Sequence, residues 1–177
     1  MKAIPMATNR ISHIEQNLER WLCLMFYSMI VLTIISEVTR RFVLSYSSIW
    51  GEEVARYCFI YLAWIGAALA VKNRAHIRID VLLGFLPNRA QIAVYLFSDF
   101  LTLVLAVISL IVSIGPVMTS LEFGSVTHGL RVSQVWFLFA VPFGFTLIVL
   151  RLLQSIRRDL KSFSNNEPVY QGERLID

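Results

Sequence analysis

The chain has 177 residues, of which 56% are hydrophobic and 16% are charged, and its net charge is +4. Soluble domains carry about 25% charged residues, so this composition, with a mean hydropathy of +0.64, excludes a soluble domain with an ordinary polar shell. The basic residues flank apolar runs and form no stripe on a soluble face, which excludes a nucleic-acid binder. A membrane span takes about 20 apolar residues, and the chain has room for four.

The first half of the chain predicts two membrane spans. Residues 9–20 have apolar side chains at helical spacing, which predicts a short amphipathic helix that runs into span one at about residues 20–43. Residues 1–20 lack the pattern of a secretory signal, so we expect the first helix to be retained. Span two is predicted at about residues 52–72, and its small-residue end from Gly66 to Ala70 is suited to close helix packing.

The basic segment that follows span two contains an apolar run too short to cross a membrane. This run predicts an amphipathic helix at about residues 77–86 that lies in the membrane interface and ends at Pro87. Within and before it, Arg74, His76 and Asp80 are interpreted as a cytoplasmic interfacial motif, because no partner ligands that would make His76 a metal site lie nearby.

Spans three and four are predicted at about residues 90–121 and 134–153, followed by a polar tail at 154–177. The Gly115-Pro116 pair predicts a kink or an early break near the end of span three. Hydroxyl side chains at helical spacing along span three predict a helix-packing stripe. The stripe consists of Ser98, Thr102, Ser109 and Ser113.

The distribution of basic residues predicts the orientation. Residues 1–20, 72–89 and 151–177 hold twelve of the sixteen lysines and arginines, and four spans place these stretches on one side. Because basic loops stay on the cytoplasmic side, both termini are predicted to be cytoplasmic. The sequence therefore predicts an all-α integral membrane protein, with residues 1–177 as a single membrane domain.

Charged residues cluster where span one ends and span two begins. This predicted cluster contains Glu37, Arg40, Arg41, Trp50, Glu52, Glu53 and Arg56. Several of its charges are three or four residues apart, as in helical ion pairs. The cluster could be a set of salt bridges that joins spans one and two, a docking surface for another protein, or a proton relay. A relay is least favoured because Glu37 lies about 9 Å from the middle of span one.

Sequence motifs for catalysis are not found. The chain has no phosphate-binding loop, nucleophile elbow or HExxH motif, and its three histidines fall outside the span centres, which argues against a haem protein. We therefore expect no enzymatic activity and no cofactor. Asp99 in span three is expected to cap a helix or to pair with Arg89 or Lys72.

Three ordered motifs resemble a family signature. They are the run Trp50-Gly-Glu-Glu-Val-Ala-Arg56-Tyr57 with the later Trp64-Ile-Gly66, the run Arg74-Ala-His76-Ile-Arg-Ile-Asp80 ending in Leu86-Pro87, and the upstream Glu37-Val-Thr-Arg40-Arg41-Phe42. Together, over residues 18–155, they resemble the small membrane subunit of tripartite ATP-independent periplasmic (TRAP) transporters. Nine residues of these motifs match family positions, and the resemblance implies structural or docking roles for them and not catalysis. They are Glu37, Arg40, Arg41, Trp50, Glu52, Glu53, Arg56, His76 and Asp80.

The resemblance implies a multi-pass subunit of the bacterial inner membrane that acts with a large transmembrane subunit and a periplasmic substrate-binding protein. It implies sodium-driven transport of organic acids such as sialic acid or C4-dicarboxylates, with the substrate and sodium sites in the large subunit. We expect the two membrane subunits to be separate chains, and membrane lipids to surround them. The alternatives are a four-helix small exporter that acts as a homodimer, for which Glu37 is the one candidate acid, and a membrane scaffold unrelated to transport.

Overall fold

In a computed structural model of the chain, residues 6–46, 48–73 and 88–165 are described. They form four α-helices: α1 (Met6–Val43), α2 (Ile49–Lys72), α3 (Asn88–Glu122) and α4 (Val135–Asn165). Each contains a stretch long and apolar enough to cross a membrane: Leu18–Val43, Ile49–Lys72, Ala90–Glu122 and Val135–Ser162. The predicted all-α fold with four membrane-spanning helices is confirmed.

Two helices, α3 and α4, extend through positions where the sequence predicted a boundary, and α1 is continuous where the sequence predicted that it would be. Helix α1 joins the predicted amphipathic helix and span one into 38 continuous residues. Helix α3 continues through Pro116 to Glu122, so the chain does not break there, as is common for proline in membrane helices. Helix α4 continues into the predicted polar tail because Leu152, Ser155 and Asp159, three and four residues apart, are all buried.

Three predictions lie wholly or partly outside the described residues. The interfacial helix at 77–86 and the motif of Arg74, His76 and Asp80 lie in the segment 74–87, and the last twelve residues of the polar tail lie in 166–177.

The helices pack in the order α1–α2–α4–α3, with extensive contact between each helix and its neighbour in that order. The main core joins the last three helices and contains Ala68 and Val71 of α2, Ala106 of α3, and Ile148 and Leu152 of α4. The two alanines let the helices approach closely, and such packing stabilises helix pairs in lipid, where water exclusion does not.

An aromatic contact fixes the distance between α2 and α4. The rings of Trp64 and Phe145 lie 4.6 Å apart between centroids. A β-carbon added at Gly144 would lie 2.6 Å from the Trp64 side chain, so the two helices reach this distance only because position 144 has no side chain.

The two outer helices bury little of their apolar surface. None of the most apolar 18-residue stretch of α1 is buried, and 6% of that of α3, against 22% for α2 and 28% for α4. Large apolar side chains remain exposed along α3, for example Phe97, Leu105 and Val112. Helices α1 and α3 therefore present long apolar faces to lipid or to another membrane protein.

Candidate functional site

A polar cluster joins α1 to the start of α2. Glu37 pairs with Arg40, one turn later in α1, at 3.4 Å, and the Ser48 hydroxyl donates a hydrogen bond to Glu37. The backbone N–H of Ser48 donates to the other carboxylate oxygen at 3.4 Å, and Arg40 donates to the Ser48 hydroxyl at 3.3 Å. The Arg40 guanidinium also stacks over the Trp50 ring, 4.6 Å from its centroid. We call Glu37, Arg40, Ser48 and Trp50 the turn cluster.

The turn cluster depends on a glycine. A β-carbon added at the buried Gly51 would lie 2.5 Å from Cδ and 2.7 Å from Cγ of Glu37. These distances are shorter than carbon atoms tolerate, so Glu37 can reach Ser48 only across a position without a side chain. The motif at residues 50–57 therefore requires a glycine at position 51 for packing, in addition to its charged residues.

Three other charged residues of the predicted cluster, Arg41, Glu52 and Arg56, do not take part in the turn cluster. Arg41 and Glu52 are exposed and line an open cleft beside Glu37, and Arg56 is exposed one turn further along α2. Among the described residues, none of these three side chains forms an ion pair within 4.0 Å, so the i,i+4 pairs Glu37–Arg41 and Glu52–Arg56 are not formed. Glu37 does not pair with Arg41 because its carboxylate already binds Ser48 and Arg40.

Glu53 binds the loop between α3 and α4. Its carboxylate accepts hydrogen bonds from the backbone N–H groups of Gly129 and Leu130, at 2.9 and 2.8 Å. Hydrogen bonds from backbone amides to a carboxylate are charge-assisted and about twice as strong as neutral ones. Glu53 thus fixes the loop tip against the first turn of α2.

The loop itself has defined geometry. The N–H of Thr127 donates to the carbonyl of Val132, and that of Gln134 donates to Ser125, both at 2.9 Å. These bonds turn residues 125–134 back on themselves beside an isolated bridge between Val126 and Ser133. The α1–α2 connection is therefore held by Glu37 and the α3–α4 loop by Glu53, both carboxylates of the predicted cluster.

A second polar cluster lies at the opposite ends of the helices. Glu19 of α1 is 3% exposed, and Arg151 of α4 donates to one of its carboxylate oxygens from Nη2 at 2.6 Å and from Nε at 2.7 Å. Lys72 of α2 lies 3.4 Å from the other oxygen. We call Glu19, Lys72 and Arg151 the three-helix cluster, since it joins α1, α2 and α4. The three-helix cluster was not predicted from the sequence. Its three charges each lie next to the end of an apolar run, but their spacing in the chain does not show that they meet.

Asp99 joins α3 to α4. It is 2% exposed, and the hydroxyl of Ser155 donates to it at 2.8 Å. Of the two partners expected from sequence, Lys72 lies against Glu19, and the side chain of Arg89 is outside the described residues. A buried carboxylate that accepts from the neighbouring helix fixes the register of that helix pair.

The predicted hydroxyl stripe of α3 bonds partly to its own helix. Thr102 donates to the carbonyl of Ser98 and Ser113 donates to that of Leu110, each at 2.8 Å. Ser109 and Ser113 also border an apolar groove between α3 and α4. Because their hydroxyl hydrogens are used within α3, Thr102 and Ser113 contribute small size and not interhelical hydrogen bonds.

Among the described residues, the ion pairs and the contacts of Glu53 lie towards the two ends of the apolar stretches, where they fix helices and a loop to one another. Within the described part of the chain, no group of three or more His, Cys, Asp or Glu side chains could hold a metal ion. These features define a multi-pass membrane protein whose polar clusters are built to hold helices in place.

Residues 30–162 match the family described as tripartite ATP-independent periplasmic transporters, DctQ component, and this match covers more than half of the chain. The chain belongs to this family, which is a family of transporters and not of enzymes. The predicted resemblance is confirmed.

Named relatives agree with this assignment. The chain is 24% identical over 151 residues to the sialic acid TRAP transporter small permease protein SiaQ of Vibrio cholerae, covering 85% of this chain and 86% of that protein. It is 30% identical over 110 residues to the isethionate TRAP transporter permease protein DctMQ of Oleidesulfovibrio alaskensis, covering 62% of this chain. It is 27% identical over 139 residues, or 78% of this chain, to the sialic acid TRAP transporter permease protein SiaT of Haemophilus influenzae.

The chain spans 17% of the length of DctMQ and 22% of that of SiaT, so it corresponds to a small part of those two permeases and to most of SiaQ.

Proposed function

We propose that this chain is the small permease subunit of a sodium-driven, binding-protein-dependent transporter for organic acids in the bacterial inner membrane. In this proposal it braces a large transmembrane subunit, which moves the substrate, and helps to dock a periplasmic binding protein. Sialic acid is the first substrate to test, because two of the relatives are named for it.

The observation that carries the bracing role is the contrast between the outer and the inner helices. Helices α1 and α3 leave their most apolar stretches almost unburied, while α2 and α4 are packed on both sides. An outer helix with one extensive neighbour has a face free for a partner with a matching apolar surface. The large subunit is the partner that we propose for at least one of these two faces.

The docking role is supported by the polar end that carries the turn cluster. There Glu53 holds the loop 125–134 by two backbone hydrogen bonds, and Arg40 is held between Glu37 and Trp50. Pre-ordered loops bind partners with less loss of conformational entropy than mobile ones. Arg131 in this loop and Arg56 beside it are both exposed and supply positive charge for the contact.

The test is reconstitution. The chain would be co-expressed with the large subunit of the same system, purified through a tag on this chain alone, and placed in vesicles with an inward sodium gradient and the binding protein. We expect the large subunit to co-purify, and sialic acid uptake to require both membrane subunits, sodium and the binding protein.

Photo-crosslinkers at Leu32 on α1 and Leu105 on α3, both strongly exposed, would then identify the bracing face. We expect the large subunit to be crosslinked from at least one of them. A chain that purifies alone or as a homodimer and moves a substrate by itself would overturn the proposal in favour of the small-exporter alternative.

A further inference from the structure

The groove between α1 and α2 has an apolar part and a polar part that share two lining residues. The apolar part, of about 360 Å³, is lined by Ile34, Val38 and Ala55 among others. The polar part, of about 480 Å³, is lined by Ser45 and Tyr46 among others. Arg41 and Glu52 line both parts, and so they mark the boundary between them. We call the two parts together the α1–α2 cleft.

The position of the α1–α2 cleft matches the boundary of a bilayer. Its apolar part lies along the last turns of the α1 span, which ends at Val43, and its polar part lies at the turn before the α2 span begins at Ile49. A cleft of a few hundred Å³ has the size of an ordinary ligand site. A ligand that fits it has an apolar chain on the membrane side and a polar group at the surface.

The charges of the α1–α2 cleft are available to such a ligand. Glu37 is bonded to Arg40 and Ser48, which leaves Arg41 and Glu52 as exposed charges of opposite sign. Neither forms an ion pair within the described residues. An arginine fork binds a phosphate group well, and a carboxylate accepts hydrogen bonds from a primary ammonium group.

We propose that the α1–α2 cleft binds a phospholipid with an ethanolamine headgroup, phosphatidylethanolamine, from the leaflet at this end of the spans. The phosphate binds Arg41 and neighbouring hydroxyls, the ammonium binds Glu52, and one acyl chain lies against the apolar part. The pair of charges is neutral overall, as this headgroup is. A choline headgroup lacks an N–H donor for Glu52, and a glycerol headgroup lacks the cation.

The test is lipid retention by the full-length chain. The purified protein would be exchanged into detergent with equal amounts of phosphatidylethanolamine, phosphatidylcholine and phosphatidylglycerol, and bound lipids would be counted by native mass spectrometry. We expect phosphatidylethanolamine to be retained preferentially. The double variant Arg41→Gln/Glu52→Gln should retain it about tenfold less, since charge-assisted hydrogen bonds are lost.

A matched control carries the same two changes outside the α1–α2 cleft. Arg131→Gln/Glu122→Gln alters two exposed charges near the α3–α4 loop and should retain lipid as the unmodified chain does. A second variant, Ala55→Phe, keeps both charges and fills the apolar part, and it should also reduce retention. Circular dichroism of each variant would verify that the helices are intact.

Crosslinking identifies the occupant directly. A phosphatidylethanolamine with a photoreactive acyl chain should label peptides that contain Val38 or Ala55. The proposal is overturned if the cleft double variant and the control retain lipid equally, if the three lipids bind equally, or if the label falls elsewhere. It is also overturned if, in the co-purified complex, a segment of the large subunit crosslinks into the α1–α2 cleft in place of lipid.

Discussion

Gly51 and Gly66 lie in the same helix and differ in what surrounds their α-carbons. A β-carbon at position 51 would collide with Glu37, whereas one at position 66 would meet nothing within 4 Å. The two positions thus form a matched pair for testing whether the turn cluster stabilises the fold.

We expect Gly51→Ala to lower the free energy of unfolding by about 1–3 kcal/mol, the typical cost of overpacking. Gly66→Ala should be neutral or should raise it by up to about 1 kcal/mol, because alanine favours a helix over glycine. Unfolding in mixed micelles, followed by circular dichroism, measures both. Equal effects of the two substitutions would show that the approach of Glu37 to Ser48 does not stabilise the protein.

Glu53 and Glu52 are adjacent acids with different surroundings, since Glu53 accepts two backbone hydrogen bonds and Glu52 is exposed. In Glu53→Gln the amide oxygen can accept one of these bonds, but the amide nitrogen cannot accept the other. We expect hydrogen exchange at the amides of Gly129 and Leu130 to become about tenfold faster, from a loss of at least about 1.4 kcal/mol.

Glu52→Gln is the control and should leave exchange at these amides unchanged. If the exchange rates in the two variants are the same, the loop is ordered by its own hydrogen bonds and not by Glu53.

At the scale of the helices, the three-helix cluster is the polar contact that ties α1 to more than one neighbour. Glu19→Ala would remove a carboxylate that both cations bind and would leave the largely buried Arg151 guanidinium without its ion pair. Removal of one partner from a buried ion pair costs about 3 kcal/mol or more, and we expect a loss of this size in the free energy of unfolding.

Two further variants test whether that loss of stability comes from the unpaired buried charge. Arg157→Ala, an exposed arginine two turns further along α4, should change stability by less than about 0.5 kcal/mol. The double variant Glu19→Met/Arg151→Met should be more stable than Glu19→Ala, because it removes the charge as well as its partner. A double variant that is no more stable than Glu19→Ala would contradict this account.

The sequence predicts the helices well and their polar contacts poorly, for a physical reason. Apolar length and flanking charges are local properties, and they are sufficient for the four spans. The partners of Glu53 and Glu19 lie 53 to 132 residues away in the chain, and no local spacing encodes them. Helical spacing offered both Arg40 and Arg41 to Glu37, and it gave no sign that the turn after α1 brings Ser48 to the same carboxylate as Arg40.

At the scale of the whole molecule, the predicted orientation is testable. Twelve of the sixteen basic residues lie on the side of the two termini, so we expect both termini to be cytoplasmic. A green fluorescent protein fused after Asp177 should fluoresce, and alkaline phosphatase at the same site should be inactive.

Alkaline phosphatase inserted in the loop 125–134 of a truncated chain should be active, as the control for export. The opposite pattern of reporter activities would invert the proposed roles of the two ends, and the loop held by Glu53 could then not meet a periplasmic partner.

The helix order α1–α2–α4–α3 was not predictable from sequence either. All four helices carry similar apolar runs, and small residues occur on several of them. The order follows from which small faces meet, such as Gly144 against Trp64, and from carboxylates that reach across helices. These contacts join residues that are distant in the chain and close in the fold, and a single sequence does not show which residues meet.

The contacts that attach helix α1 to the rest of the protein limit how this helix can move. Between Glu19 and Glu37 it has no fully buried apolar residue, and its side-chain ion pairs and hydrogen bonds to other parts of the described chain lie at Glu19, Glu37 and Arg40. Polar contacts therefore hold α1 on both sides of its apolar stretch, and only partly buried side chains hold the stretch between them. Loss of one contact leaves the other in place, so α1 can then pivot about the contact that remains.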